Sequence, residues 1–239
     1  MDYILDTHTH TVASGHAYNT ILEMAQAAAK KGLKFLGITD HSKMMPESCG
    51  DFYFNNLKVV PREMFGVQLG LGVELNIIDY DGHVDMDEDL LKKMDVVIAS
   101  FHIPCIDPST KEQHTSGLLK VLQNPYVNII GHPDDGRYLV DYEALVKGAK
   151  EHHKLLELNN NSLNPKGFRP NTHENDVKML KKCIEYDQPV IIGSDAHWMD
   201  DIARHDFAEQ VIEEVNFPKR LIVNYDLDLF YSYCPKVKK

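Results

Sequence analysis

The stretch Asp6-Thr7-His8-Thr9-His10-Thr11-Val12-Ala13-Ser14-Gly15-His16 places three imidazoles close together near the start of the chain. It follows the apolar run Tyr3-Ile4-Leu5, which reads as a short strand. Successive side chains of a strand point to opposite faces, so His8 and His10 project to one side, with Asp6 a step further back on it. Val12-Ala13-Ser14-Gly15 then turns the chain, Gly15 being free to adopt a positive φ, and His16 returns near the pair. Neutral imidazole is the commonest protein ligand of transition metals, so this grouping suits a metal. A lone His-x-His is a weak signal, which solvated histidines at a strand end would satisfy equally well.

The rest of the chain repeats the same chemistry at the same kind of place. His41 follows an apolar run at 34–39, and Glu74 lies late in another at 68–77. His102 follows the run 95–101, His132 the run 126–130, and Asp195 and His197 the run 189–193. In parallel strands all C-terminal ends meet on one face, so these distant residues would converge on one pocket. Glu74 in an apolar strand would be costly as an unpaired buried carboxylate, and a metal cation answers that cost. His132 precedes Pro133, which biases it towards extended backbone. Asp195-Ala196-His197 has the two-apart spacing of the first motif, with a helix cap by Ser194 or Asp195 as the structural alternative. His152-His153 sits at a helix C-terminus, where positive charge suits the dipole, and His83, His114, His173 and His205 read as loop or helix residues.

Nine candidate ligands, His8, His10, His16, His41, Glu74, His102, His132, Asp195 and His197, are too many for one ion. Catalytic zinc takes about three protein ligands plus a water, so nine divide into roughly three divalent ions, with Glu74 the natural bridge. Such clusters activate a water as hydroxide and clamp the attacking and leaving oxygens of a displacement. That chemistry points to hydrolysis, most simply of a phosphate ester, where charge stabilisation does most of the work.

The elements that must position these residues alternate strand with helix. Residues 19–31 read as a helix: Asn19 or Thr20 caps it, Glu23 completes a capping box, and Ile21, Leu22, Ala25, Ala28 and Ala29 form a stripe. Lys30-Lys31-Gly32 ends it, and the strand 34–39 then completes a βαβ unit, which implies parallel strands. Residues 44–64 form a long excursion broken by Pro46, Gly50 and Pro61. Further helices are expected at 115–124, 141–153, 173–185 and 206–215, with strands at 154–159 and 189–193 and a short one at 220–224. Continuous apolar strands imply that both faces are covered. The count favours an α/β fold, a distorted seven-stranded (β/α)7 TIM-like barrel over residues 1–239 as one domain, its active site at the C-terminal strand ends.

Composition narrows the partners. The chain has 239 residues, 43% hydrophobic and 26% charged, with a net charge of -11. Its acidity argues against extended nucleic-acid binding, yet allows a small anionic substrate in a locally positive pocket. Cys49, Cys105, Cys183 and Cys234 are widely spaced and read as reduced thiols. No basic stretch precedes an apolar core at the N-terminus and no run is long enough to span a bilayer, so no membrane contact and a cytoplasmic location are expected.

His8-Thr-His10-Thr11 with Ser14, Thr39-Asp40-His41, Glu74, His102, Gly131-His132-Pro133 and Ser194-Asp195-Ala196-His197 together resemble the motifs of the PHP (polymerase and histidinol phosphatase) family. The longer run His10-Thr-Val-Ala-Ser-Gly-His16-Ala-Tyr-Asn-Thr20 is similar to a bacterial subgroup of stand-alone phosphatases with a trinuclear zinc site in a distorted seven-stranded barrel. The resemblance implies three metal ions, zinc foremost, with manganese or iron within the family's range. It implies one ion on His8, His10, Glu74 and Asp195, a second on Glu74, His102 and His132, and a third on His16, His41 and His197. The catalytic group expected is a metal-bound hydroxide held by Glu74, Asp195 and His197. Histidinol-phosphate phosphatases of the family hold phosphate with Arg residues, which makes Lys166, Arg169 and Arg204 the candidates here, with 159–161 able to line the pocket. No acidic pair is placed to read a histidinol amine. The expected activity is therefore phosphomonoester hydrolysis on a small phosphorylated metabolite. The alternatives are a phosphodiesterase or exonuclease of the polymerase PHP type, a non-catalytic metal-binding interaction module, and an amidohydrolase-type barrel.

Overall fold

The computed structural model describes residues 3–238; residues 1, 2 and 239 of the expected domain lie outside the described residues. Among the described residues there are nine strands: β1 Leu5–Asp6, β2 Phe35–Ile38, β3 Glu63–Met64, β4 Val67–Leu71, β5 Val73–Asn76, β6 Val97–Ser100, β7 Ile129–Ile130, β8 Leu155–Asn159 and β9 Val190–Gly193. They form a four-stranded sheet, β1-β2-β4-β3, and a five-stranded sheet, β5-β6-β7-β8-β9. Every pairing is parallel except the β3–β4 hairpin. Isolated bridges join the two sheets: His41 pairs with Glu74, and Thr9 with Ala196. The fold is thus α/β with parallel sheets, as the alternation of elements predicts.

The strand expected at 68–77 is two strands, β4 and β5, in different sheets. The chain changes partners at Gly72, whose N–H still bonds Ile38 O (2.9 Å) while the Val73 N–H turns to Val96 O (3.0 Å). The Asp95 carboxylate accepts the Leu71 N–H at 2.9 Å and steadies the crossover. The expected strand at 220–224 is instead two short 3₁₀ turns, Lys219–Leu221 and Val223–Tyr225, with a single bridge from Ile222 to Val190.

Helix Ile21–Lys30 starts as expected, with the Thr20 hydroxyl and the Glu23 side chain exchanging hydrogen bonds across the first turn. The helix placed at 115–124 begins earlier, at Lys111–Leu122, because the Thr110 hydroxyl caps it by accepting from Gln113 N. Helix Thr172–Tyr186 starts after Asn171 in a left-handed conformation, so Thr172 is its first residue and not its cap. A C-terminal helix, Leu227–Tyr233, capped by Asp226, was not expected from the pattern.

Two apolar clusters hold these layers. The larger lies between the strands and the surrounding helices. The smaller gathers Leu5, Phe35, Ile98, Ile129, Leu155 and Ile191 from the strands against Phe230 and Val237. Burying a side chain such as Phe230 contributes about 1.5–3 kcal/mol, which fixes the last helix beneath the strands.

Candidate metal centre

The opening motif folds as its residues dictate. Val12–Ser14 form a 3₁₀ turn capped by Thr11, and Gly15 follows at φ 81, a left-handed conformation open to glycine. Buried Asp40, at the end of β2, binds this turn: its Oδ1 accepts from Thr11 N (2.6 Å) and Ser14 Oγ (2.7 Å), and Tyr53 donates to Oδ2 (2.7 Å). The rings of His16 and His41 then lie 5.0 Å apart, and those of His16 and His197 4.8 Å. His16 itself is exposed at the rim.

Glu74 is completely buried and stands at the centre. Its Oε2 lies 2.8 Å from His41 Nδ1, 3.3 Å from His8 Nε2 and 3.4 Å from His10 Nε2. Its Oε1 lies 2.9 Å from His132 Nε2 and 3.2 Å from His102 Nε2, and accepts the Ser100 hydroxyl at 2.7 Å. Asp195 Oδ1 approaches His10 Nε2 at 3.3 Å and His8 Nε2 at 3.8 Å. Despite these distances, His8 Nε2, His10 Nε2, His41 Nδ1, His102 Nε2 and Glu74 Oε2 have no hydrogen-bond partner among the described residues. Buried polar atoms left this way are costly unless something else satisfies them. Three overlapping groups have ligand atoms within 4.8 Å of one another: His8, His10 and Glu74; His41, Glu74 and His102; and His10, His41 and His197. A donor set of imidazoles and carboxylates fits divalent transition metals.

Four of the imidazoles are aimed by partners on their far side. His8 Nδ1 meets Glu157 Oε1 at 2.6 Å. His102 Nδ1 meets Asn76 Oδ1 at 2.7 Å, while the Asn76 amide donates to Asp85 and Ser42 O, which assigns the ring its Nδ1–H. His10 Nδ1 meets Ser14 Oγ at 3.0 Å, whose proton goes to Asp40. His197 Nδ1 donates to Asp195 O at 2.9 Å. In each case Nε2 is left to face the centre, the usual way of fixing a ligating histidine.

Electrostatics follow from burial and crowding. Burial opposes the His8 cation, but Glu157, Glu74 and Asp195 outweigh it and raise the His8 pKa well above the usual imidazole value. Burial, with His197 and His41 nearby, holds His10 well below that value, and burial pushes His102 down to about 3. Burial works against Glu74 and Asp195 as anions, yet His8 with its neighbouring imidazoles keeps both carboxyls well below their ordinary range.

Two ligand candidates sit on strained backbone: His132 at φ 26 and Asp195 at φ 52. The extended backbone expected for His132 before Pro133 is absent, since its N–H is drawn onto Glu157 Oε2 at 2.8 Å. Such conformations persist only where the surroundings over-determine them. Asp6 does not join the centre. Its carboxylate instead accepts Ser194 N at 3.2 Å and Ala203 N at 2.8 Å.

All nine ligand candidates gather here, whereas the three basic candidates diverge. Arg169 is nearly buried and its Nη1 lies 3.2 Å from Asp195 Oδ2 at the wall of a cavity of about 520 Å³ over the imidazoles. Lys166 is exposed and does not line that cavity. Arg204 lines a smaller neighbouring cavity of about 120 Å³ and pairs with Asp206 and Asp201. Asn161 lines the larger cavity, while Asn160 Oδ1 caps helix Asp206–Glu214 through Phe207 N and Ala208 N.

Glu157 escaped the reading of the sequence, although the signal was there. Glu74-Leu75-Asn76 recurs as Glu157-Leu158-Asn159, one strand position for position with the other. Glu157 binds His8 and His132 N, and Asn159 joins it to Asp195. A side chain on Gly193 would collide with the Glu157 carboxylate, so glycine is required beside it.

Comparison with known proteins gives these results. The PHP domain model matches residues 6–169. A protein of Caldicellulosiruptor saccharolyticus named "Probable phosphatase" is 48% identical, over 96% of this chain and 95% of its own length. One from Clostridium novyi with the same description is 44% identical, over 98% and 95%. Among solved structures, histidinol phosphate phosphatase from Lactococcus lactis, complexed with zinc, L-histidinol and phosphate, aligns with a TM-score of 0.60 at 17% identity, covering 90% of this chain and 95% of that one. A chain of archaeal ribonuclease P with mature tRNA also aligns at a TM-score of 0.60, with 15% identity, covering 98% and 91%. At these identities the two structures speak to the fold.

Proposed function

The chain belongs to the PHP domain family, and we propose that it is a metal-dependent phosphatase hydrolysing small phosphate monoesters. The observation that carries this reading is the division of Glu74: one carboxylate oxygen faces His8, His10 and His41, the other His102 and His132. A buried carboxylate split between two sets of imidazoles is what a bridging ligand requires. By this reading His8, His10, Glu74 and Asp195 hold one ion, Glu74, His102 and His132 a second, and His16, His41 and His197 a third, with zinc foremost. Bound there, divalent cations supply Lewis-acid polarisation of phosphoryl oxygens and an activated water.

The chain's own groups do the rest. Glu157, Asn76 and Ser14 hold the imidazoles in one tautomer and orientation. Arg169 offers a guanidinium charge at the cavity wall, with its Nη1 held by Ser162 Oγ and Asp195 Oδ2. The strand order, with bridges between the sheets at His41–Glu74 and Thr9–Ala196, supports a distorted seven-stranded barrel and a single domain over the chain. Among the described residues, no helix is long and apolar enough to cross a membrane. A cytoplasmic enzyme acting on a soluble metabolite is the corresponding proposal.

The deciding measurement is turnover of p-nitrophenyl phosphate beside bis-p-nitrophenyl phosphate, on protein loaded separately with zinc and manganese. Hydrolysis of the monoester is expected. Preference for the diester would move the reading to a phosphodiesterase or nuclease, and no turnover with the metal sites filled would overturn catalysis on phosphate esters.

A further inference from the structure

The cavity over the metal centre has a chemistry of its own. Its outer wall is built from Met45, Ile103, Pro104 and Phe168, together with Arg137 and Arg169. Phe168 is 70% exposed, an unusual cost for an aromatic ring at the surface. Two guanidinium groups hold it at the mouth: Arg137 lies 5.1 Å from the ring centroid and Arg169 5.3 Å.

The charges of this wall are already committed. Arg137 makes a two-pronged pair with Asp135, Nε to Oδ1 at 2.9 Å and Nη2 to Oδ2 at 2.5 Å. Among the described residues Asp195 is the one carboxylate lining the cavity, and it faces His10, His8 and Arg169. A substrate ammonium entering here would meet two guanidiniums and no free carboxylate, so it would lose its hydration without gaining a partner. A neutral apolar group would instead cover Met45, Ile103 and Phe168. The volume of about 520 Å³ accommodates a phosphate with a ring attached.

We infer that this site selects phosphate monoesters of neutral aryl or similarly apolar alcohols over amino-alcohol phosphates, with Phe168 and Ile103 as the selecting side chains. The inference rests on the phosphatase reading of the same site. It separates this chain from an enzyme whose alcohol product carries an amine.

Phosphonates test the preference apart from turnover, because they cannot be hydrolysed at the C–P bond by this chemistry. Calorimetric titration of the metal-loaded protein should rank phenylphosphonate above methylphosphonate by roughly tenfold or more, the discrimination typical of added apolar contact. Aminoethylphosphonate should bind no better than methylphosphonate. In Phe168→Ala the phenyl-to-methyl ratio should shrink several-fold. Phe168 lies at the cavity mouth outside the buried clusters, so this variant keeps the core packing. Equal affinity for phenyl and methyl, tightest binding of the aminoethyl compound, or an unchanged ratio in Phe168→Ala would each overturn the inference. Selective phenylphosphonate binding with no hydrolysis of naphthyl phosphate would uphold the pocket's preference and overturn the phosphatase reading instead.

Discussion

Phe35, Ile98, Leu155 and Ile191 pack with Phe230 in a small apolar cluster at one end of the strands. Two or three alternate positions further on, at or just past the C-terminal ends of these strands, stand His41, His102, Asn159 and Asp195, all buried and all at the candidate metal centre. Since alternate residues share a face, a single face of each strand runs from hydrocarbon floor to polar mouth: Phe35-Gly37-Thr39-His41, Ile98-Ser100-His102, Leu155-Glu157-Asn159 and Ile191-Gly193-Asp195. The floor is stabilising as it stands, closed from below by the C-terminal helix. The mouth is not: Glu74 Oε2 and the facing nitrogens of His8, His10, His41 and His102 are buried there without hydrogen bonds among the described residues. One end supplies stability, and the other holds groups that become favourable only around cations.

The sharpest way to break that contrast is Glu74→Ala. Both oxygens that join the imidazole sets disappear, so turnover should fall on the order of 10³-fold or more, a loss typical of removing a principal charge stabiliser. Metal analysis of the purified variant should show the loss of more than one equivalent. Full occupancy would refute the bridging role. The floor should respond in the opposite sense. Phe230→Ala should cost about 3–5 kcal/mol in urea unfolding and leave the metal stoichiometry of the folded protein unchanged. Metal loss from that folded variant would mean that the two ends are not separable.

Glu157→Gln sharpens the comparison within the mouth. Gln keeps the size and one carbonyl acceptor but removes the charge that holds His8 and the His132 N–H. Metal affinity, measured by chelator competition, should drop roughly 10- to 100-fold, as expected for partners behind a ligating imidazole. The fold should survive, because the floor cluster is untouched. Unchanged affinity would show that His8 is oriented by packing alone.

The mouth was far more legible in the sequence than the floor. Most ligand candidates follow an apolar run, and strand alternation with parallel order makes such ends converge, so His8, His41, His102, His132 and Asp195 were readable from position alone. Glu157 was not, because it sits in mid-strand and stands behind the centre, on His8 and the His132 N–H, with only the repeated Glu-Leu-Asn triplet to mark it. The floor depends on helix Leu227–Tyr233, whose Phe230 makes contacts far away in sequence with Phe35, and nothing local announces those contacts. The split at Gly72 was hidden for a similar reason: the run 68–77 reads as one continuous strand, and its change of partner comes from where Ile38 and Val96 offer their carbonyls. Among the basic residues, only the fold distinguishes Arg169 at the cavity wall from Lys166 and Arg204 outside it.

A last, smaller effect concerns a carboxylate pair that lies near the mouth without belonging to the centre. Asp134 and Asp176 are both fully buried, and neither oxygen of Asp176 has a hydrogen-bond partner among the described residues. Burial, eased in part by Arg169, raises the Asp134 pKa to about 7. Burial, with Asp134 and Glu157 nearby, raises Asp176 well above the carboxylate range. A carboxyl whose pKa is raised on folding binds its proton more tightly in the native state. Its contribution to stability is therefore complete below the unfolded value near 3.8 and is lost as pH rises through about 7. Asp176→Asn removes one of the two charges that must otherwise be forced into this site at alkaline pH. The variant should be more stable than the parent by about 1–3 kcal/mol near pH 8, and the two should converge only below about pH 4, where the carboxyl is protonated in the folded and unfolded chain alike. Urea unfolding at both pH values checks the sign. A parent more stable than the variant near pH 8 would mean that ionised Asp176 has a cationic partner, which would extend the charge network of the mouth outwards through Asp134.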